Sequence, residues 1–402
     1  MIRYHASWVV PIAQPPIRNG WVAVEQGRVI GVGHGLPTAA ADRDHGSVVI
    51  LPGLVNAHTH LELSHLHERV PQSTTFVDWI RAVVQSRRSQ SDSRSTEIAA
   101  GIAVGIAQSI RCGTAVVGDI SNSLASFGPL AESALAGIVF YELIRFNAPD
   151  PEGVVAEACR RIDALGHADR VRASLAAHAP YSVAPSVFGA IRRAIDRRAL
   201  APCSVHLSES RDEVEFIRHG GGEWRRFLED VGAWDPAWIA PGVTPVEFLA
   251  AAGFLDASVL AVHGVQMTAA DLARLAALGT TLVACPRSNR HTGAGVSPVA
   301  EFYASGVRVA VGTDSLASTA DLNVFAEIAE MRRLAPHVPA ARLLDSATRQ
   351  GARALGFGAD YGTIEPGKVA RLLAVSVPPD VDDVEEWLVS GVEPEQLRWL
   401  ET

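Results

Sequence analysis

The chain has 402 residues, 48% of them hydrophobic, and its 35 Lys and Arg against 44 Asp and Glu give a formal charge of −9. That length can bury a large core, enough for one barrel-sized domain and a small satellite. The acidic balance, with no basic face discernible, excludes a phosphate-backbone partner, so no nucleic-acid role is expected.

Residues 1–54 read as short strands joined by turns, as in GWVAVEQGRVIGVG, and are too short to hold a core alone. The opening MIRYHASWVVPIAQPP lacks a sustained apolar stretch before its prolines, and no later stretch spans a membrane's width without charges or helix breakers. Neither export nor membrane insertion is expected. Cys112, Cys159, Cys203 and Cys285 are scattered, with no C-x-x-C pair, which suits a reducing cytoplasm.

From about residue 55, Val/Ile/Ala-rich runs alternate with amphipathic segments of helical period. Eight runs end near His60, Asp119, Ile144, His178, His206, His263, Cys285 and Asp314. Helices are predicted over 96–111, 185–198, 268–278 and 298–305, with Thr268 and the Ser297-Pro298 step as start signals. The count predicts an α/β fold, a (β/α)₈ TIM barrel over 55–345. Residues 1–54 and 346–402, the latter containing GTIEPGKVARLLAVSV, are expected to pair into one composite small β-sandwich domain. The stretch 220–241, rich in Gly and Trp, reads as a long loop over the barrel mouth. The Ser/Arg-rich QSRRSQSDSRS around residue 90 reads equally as a linker or as a solvated helix surface.

Five residues sit where strand-like runs end: His58 and His60 in PGLVNAHTH, His206 in CSVHLSES, His263 in SVLAVHG, and Asp314 in VRVAVGTD. On a strand, side chains at i and i+2 share a face, so His58 and His60 can grip one ion together. Groups spread over about 250 positions converge only if their strands are neighbours, and parallel barrel strands provide that at one rim. The pattern predicts a metal-dependent hydrolytic site. The competing reading, hydrogen-bonded core histidines, must explain why all fall at the same edge. His65 and His67 repeat the H-x-H spacing without a preceding apolar strand and are read as surface or loop residues.

PGLVNAHTH, HAPYS, HLSE, VHG, CPRSN and GTDSLAS, in that order, resemble the amidohydrolase superfamily in its single-metal deaminase branch. That branch holds cytosine, guanine and S-adenosylhomocysteine deaminases and the triazine chlorohydrolases. The resemblance implies one divalent metal per subunit held by His58, His60, His206 and Asp314. Zn²⁺ suits such ligands best, and Fe²⁺ binds the same set. It further implies that Glu209 is the proton shuttle, that Asp314 also takes a proton from the attacking water, and that His263 orients that water. Binuclear members bridge two metals with a barrel lysine. Here the chain's one lysine, Lys368, lies in the C-terminal segment and the fourth strand ends in His178, consistent with a single metal.

For substrate contacts the sequence offers His178 and, more weakly, Tyr181 and Ser182 in HAPYS, with Phe76, Trp79 and Trp224 as aromatic lining. Arg287 in CPRSN is read as the partner of a carboxylate, with Arg145, Arg87 and Arg88 as competitors. NAHTHLELS, FVDWIRAVV, FYELI, HGGGEW and CPRSNRH look most like aminofutalosine deaminases. The resemblance then implies deamination of 6-amino-6-deoxyfutalosine in menaquinone biosynthesis, with a purine nucleoside-like small molecule as the partner; homodimers are common in the family. Two readings stay open: deaminase or chlorohydrolase action on another purine, a pterin or a triazine, and an inactive barrel kept as a scaffold.

Overall fold

Short runs of Val, Ile, Leu and Ala that are buried on both faces pair best inside a sheet covered on both sides, and the computed structural model, which describes residues 1–35, 42–88, 94–198 and 200–401, places them so. Five strands come first: β1 (Ile2–Val9), β2 (Ile17–Glu25), β3 (Arg28–His34), β4 (Asp42–Asp44) and β5 (Val48–Pro52). Eight more follow: β6 (Leu54–Thr59), β7 (Thr114–Ser121), β8 (Ala136–Leu143), β9 (Val171–Ala177), β10 (Cys203–Leu207), β11 (Val259–His263), β12 (Thr281–Ala284) and β13 (Arg308–Val311). The last two are β14 (Leu372–Ser376) and β15 (Leu397–Trp399).

Strands β6 to β13 pair in sequence order, all parallel, and a bridge between Thr59 and Asp314 brings the first strand to the end of the last. This is the expected (β/α)₈ barrel. Residues alternate along each strand: Val116, Ile138, Phe140, Leu260, Val262 and Val283 pack together in the interior, while Val117, Val139, Leu175, Val205, Ala261 and Leu282 belong to the layer under the helices.

The helices begin where the chain provides caps. Thr268 accepts from the Asp271 amide ahead of Ala269–Leu278, and Asp271 answers with a bond from the Thr268 amide. Pro185–Arg198 matches its predicted span, while Arg94–Arg111 and Val299–Ala304 differ from theirs by two residues or fewer at each end. The stretch 220–241 is a correction: it contains a helix, Gly222–Asp230, because Gly220 (φ 72°) ends Arg211–His219 in the left-handed conformation and the chain turns at once into a second helix. Of the stretch around residue 90, 85–88 end the helix Phe76–Arg88, 94–95 open the helix Arg94–Arg111, and 89–93 lie outside the described residues.

The two ends of the chain meet in one seven-stranded mixed sheet of order β15-β14-β5-β1-β2-β3, with β4 on β1. Where a sandwich is expected, the structure has this single sheet, which curls so that Arg28 of β3 bridges to Val369, just ahead of β14 near the opposite edge. Tyr4, Val22, Val24, Val29, Ile50, Leu372 and Leu400 fill the enclosed core. Residues 346–357, grouped by sequence with this sheet, pack instead through Ala352, Leu355 and Phe357 with Val55, Ala57 and Val116 of the barrel. Arg371 lies over the Trp399 ring at 3.8 Å, a packing role in the small sheet. All four cysteines are free and buried, and among the described residues no helix is long and apolar enough to cross a membrane.

Candidate active site

Side chains leaving the carboxyl ends of parallel barrel strands share one mouth, and His58, His206 and His263 are there, all buried. His60 and Asp314 lie just past β6 and β13. His263 (φ 76°) and Asp314 (φ 61°) adopt the left-handed backbone conformation that non-glycine residues seldom take, a local strain typical of functional positions.

The donor atoms converge. His206 Nε2 is 3.3 Å from His60 Nε2, and Asp314 Oδ1 is 3.5 Å from His60 Nε2 and 3.9 Å from His58 Nε2. Four tetrahedral donors at ~2.1 Å from an ion stand ~3.4 Å apart, so the spacing fits a single ion. The hydrogen-bonding pattern fits as well. His206 Nδ1 bonds the His178 carbonyl at 2.9 Å, which leaves Nε2 with its lone pair toward the centre. His58, fully buried, has no hydrogen-bond partner on either ring nitrogen among the described residues. Leaving a buried imidazole so exposed to desolvation is costly unless something electrophilic takes its lone pair.

Burial, with the neighbouring imidazoles adding to it, holds His58 well below the usual histidine range, and burial lowers His206 to about 4. Neutral imidazoles are the form that binds a cation. His263 is likewise lowered by burial, and its Nδ1 bonds Asn289 Oδ1 at 2.8 Å. Its Nε2 lies 3.6 Å from Glu209 Oε1. Burial raises Asp314 to about 6 against the bonds it accepts from Ser288 and Ser318. Glu209 is pushed well above the usual carboxyl range, first by burial and then by the charges of Asp314 and Glu213. A carboxyl raised in this way holds its proton more tightly than a free one and can act as an acid.

Glu209 itself is carefully supported. Glu213 accepts the backbone amides of Ser208 and Glu209, both at 2.8 Å, while Ser210 caps the helix by accepting from the Glu213 amide. The cap is therefore Ser210, and the Glu209 carboxyl is left to face His263.

The model of the amidohydrolase family matches residues 49–393, most of the chain. This chain belongs to the amidohydrolase family. Among its curated relatives, a 5-methylthioadenosine/S-adenosylhomocysteine deaminase from Moorella thermoacetica is 31% identical over 401 residues, 95% of this chain and 88% of the relative. An aminodeoxyfutalosine deaminase from Deinococcus radiodurans is 32% identical over 332 residues, 80% and 76% of the two chains. A crystal structure of an adenosine deaminase from Xanthomonas campestris with bound zinc superposes with a TM-score of 0.82 at 26% identity, over 98% of this chain and 90% of that one. This amidohydrolase is a hydrolytic enzyme.

Above the histidines opens a cavity of about 510 Å³. Phe76, Trp79, Tyr181 and Trp224 form an apolar wall, with the Tyr181 and Trp224 rings stacked 3.7 Å apart. Trp224 comes from the helix that replaces the expected loop, so that segment does cover the mouth. His178 and Ser182 line the cavity as expected and bond one another through Nδ1 and Oγ. Arg145 lines its outer part, exposed, with Nη1 on the Ile144 carbonyl at 2.9 Å.

Arg287 does not line this cavity. Its guanidinium is 2.7 Å from Asp321 and 3.6 Å from the fully buried Glu327, and withdrawing it would leave those carboxyls without their cationic neighbour. The side chains of Arg87 and Arg88 lie outside the described residues. His65 and His67 bond backbone carbonyls, of Glu62 at 2.7 Å and of Ala320 at 3.0 Å, away from the centre.

The sequence reading missed Glu142 and Asn122. Both line the cavity, Asn122 Nδ2 donating to Glu142 Oε2 at 2.7 Å, and Glu142 Oε1 stands 3.6 Å from His206 Nδ1. Glu142 obeys the same rule as the other site residues, a carboxylate near the end of an apolar run. It was hidden because FYELI carries the run two residues past it.

Proposed function

We infer that this amidohydrolase removes the exocyclic amine of an adenine-type nucleoside as ammonia, and that 6-amino-6-deoxyfutalosine is its substrate. The observation that carries the chemistry is the meeting of Glu209, His263 and Asp314 beside three more imidazoles at the floor of a largely apolar cavity. Deaminases of S-adenosylhomocysteine and aminodeoxyfutalosine are among its relatives, which supports the adenine ring.

His58, His60, His206 and Asp314 would hold one divalent cation, Zn²⁺ by preference for this donor set, with Fe²⁺ as the alternative. Bound there, the cation supplies hydroxide near neutral pH by lowering the pKa of water to roughly 7–9. The chain's own groups do the rest. Asp314 takes a proton from the attacking water while His263 Nε2 orients it. Glu209 protonates the ring nitrogen beside the amine, so the ring can accept charge as the carbon–oxygen bond forms. The carbon–nitrogen bond then breaks. As it does so, the proton held by Asp314 passes to the leaving amine and the remaining hydroxyl proton returns to Glu209, so the net gain is one proton on the ring nitrogen and one on ammonia, and both carboxyls end as they began.

The finer assignment rests on Arg145. Among the described residues it is the one guanidinium lining the cavity, and it is exposed while the aromatic wall is buried. A benzoate-bearing substrate uses such a cation, and 5′-methylthioadenosine or adenosine does not. S-adenosylhomocysteine, whose tail also bears a carboxylate, is the second reading. Steady-state turnover of aminodeoxyfutalosine, S-adenosylhomocysteine, 5′-methylthioadenosine, adenosine and guanine tests the choice. A preference of about a hundredfold or more for the first is expected. Arg145→Ala should raise KM for it by roughly ten- to a hundredfold, the loss of one charged hydrogen bond, and leave adenosine unchanged. Equal effects on both would remove Arg145 from substrate recognition.

A further inference from the structure

Two consecutive residues of the helix Pro286–His291 reach the two flanks of the metal position. Ser288 Oγ donates to Asp314 Oδ2 and lies 2.9 Å from Ser318 Oγ, which is itself 3.4 Å from that oxygen. With Oδ2 engaged, Oδ1 is the atom turned toward His60 and His58. Asn289 Oδ1 faces His263 Nδ1 at 2.8 Å, and its Nδ2 donates to Ser297 Oγ at 2.9 Å. The amide thus presents its oxygen to the ring and its NH2 to Ser297. An oxygen there requires the imidazole proton on Nδ1, which makes Nε2, beside Glu209, the acceptor.

Ser288 and Asn289 are fully buried, so no bulk water competes for these contacts. Their backbone is itself tethered: the Arg287 amide donates to Glu327 Oε2 at 3.2 Å, and the Asn289 amide to the Cys285 carbonyl at 3.1 Å. Together with the ion pairs of Arg287, these bonds hold the turn from which both side chains project.

We propose that Ser288 and Asn289 are positioning residues that act through Asp314 and His263, one rotating the carboxylate so that a single oxygen meets the metal and the attacking water, the other locking the imidazole tautomer that accepts from that water. The proposal rests on the reading of Glu209, His263 and Asp314 as the acid–base groups. It assigns the CPRSN segment a division of labour in which the arginine anchors the turn and the next two residues aim the chemistry.

The test uses metal-loaded full-length protein at saturating Zn²⁺ and the adenine nucleoside that the wild type turns over fastest. Ser288→Thr and Ser288→Val have similar shape and differ in the hydroxyl. The valine variant should lose about ten- to a hundredfold in kcat with KM within about threefold, and the threonine variant should recover most of it. Equal behaviour of the two overturns the role of Ser288. Asn289→Leu should show a loss of similar size, and Asn289→Asp, which keeps the acceptor, should recover part of it. In a His263→Ala background, Asn289→Leu should cost less than about threefold more, because its effect passes through the missing ring. An undiminished loss in that background overturns the role of Asn289.

Competition with a chelator reads the clamp without turnover. Ser288→Val should release Zn²⁺ at least about tenfold more readily than Ser288→Thr, while Asn289→Leu should match the wild type. A wild type that deaminates no adenine nucleoside would refute the proposed function, and the chelator result would still decide whether Ser288 positions Asp314.

Discussion

Each acidic group at the site has a separate environment, and each therefore fails differently when altered. Glu209 meets His263 Nε2 at 3.6 Å and is not one of the four groups that would hold the cation. Glu209→Gln keeps its size and removes its titration, so metal content measured by atomic absorption should stay near one ion per chain while turnover falls at least about a hundredfold. An unchanged rate would take the proton shuttle away from Glu209. Asp314 stands in both sets, 3.5 Å from His60 and bonded by Ser288. Asp314→Asn should accordingly lose metal and activity together, and full activity in that variant would contradict its double role. The same environments explain what could be read in advance. Histidines and an aspartate at the ends of apolar runs are conspicuous, because charge and burial seldom coincide without a reason. Arg287 was misread since a helix turns about 100° per residue: its neighbours Ser288 and Asn289 face the mouth, while it faces Asp321 and Glu327. Sequence spacing along six residues of helix could not reveal which of the three pointed inward.

Strand spacing at the barrel seam sets how closely these groups meet. A Cβ placed on Gly312 would lie 2.7 Å from His58 Cβ and 2.8 Å from its carbonyl oxygen. Gly312→Ala must push β13 away from β6 exactly where the Thr59–Asp314 bridge closes the barrel. Overpacking of this kind costs about 1–3 kcal/mol, and here it should also loosen the ion. Thermal melting with and without Zn²⁺ checks both effects. Gly128→Ala, with nothing within 4 Å of its added carbon, is the matched control and should leave the midpoint within a few degrees. The barrel strands were legible because both faces are apolar, and their order follows from the rule that successive parallel strands pair. The curl of the terminal sheet was not. It depends on a bridge between Arg28 and Val369, a contact across most of the chain that no local pattern encodes. The helix Gly222–Asp230 was also missed, since its glycines read as loop signals while Trp224 and Leu228 carry its buried face.

Several buried carboxyls away from the cation position shape the molecule's response to pH. Burial raises Asp119, Glu213 and Glu327 each to about 8. Above their unfolded values the unfolded chain has already released these protons while the folded chain retains them, so stability falls with rising pH until the folded values are passed. The buried histidines act oppositely, but only below about pH 6.5, where the unfolded chain is still protonated. The chelator-treated protein should therefore lose stability between about pH 6.5 and 8.5, with the denaturant midpoint as the measure. A midpoint that rises over that interval would contradict the assignment of these carboxyls as buried acids.

Joining the first strands of the chain to the last has a price in time. During synthesis, β5 is made long before β14, the strand that completes its pairing, leaves the ribosome. Until then β5 can pair with β1 on one side only, and its other edge, from Val48 to Pro52, must wait open, the condition under which nascent β-structure is most exposed to wrong partners or to capture by a chaperone. The barrel can assemble in the interval, since its strands pair in order. The small sheet thus acts as a final latch, closing only once translation has delivered the far end.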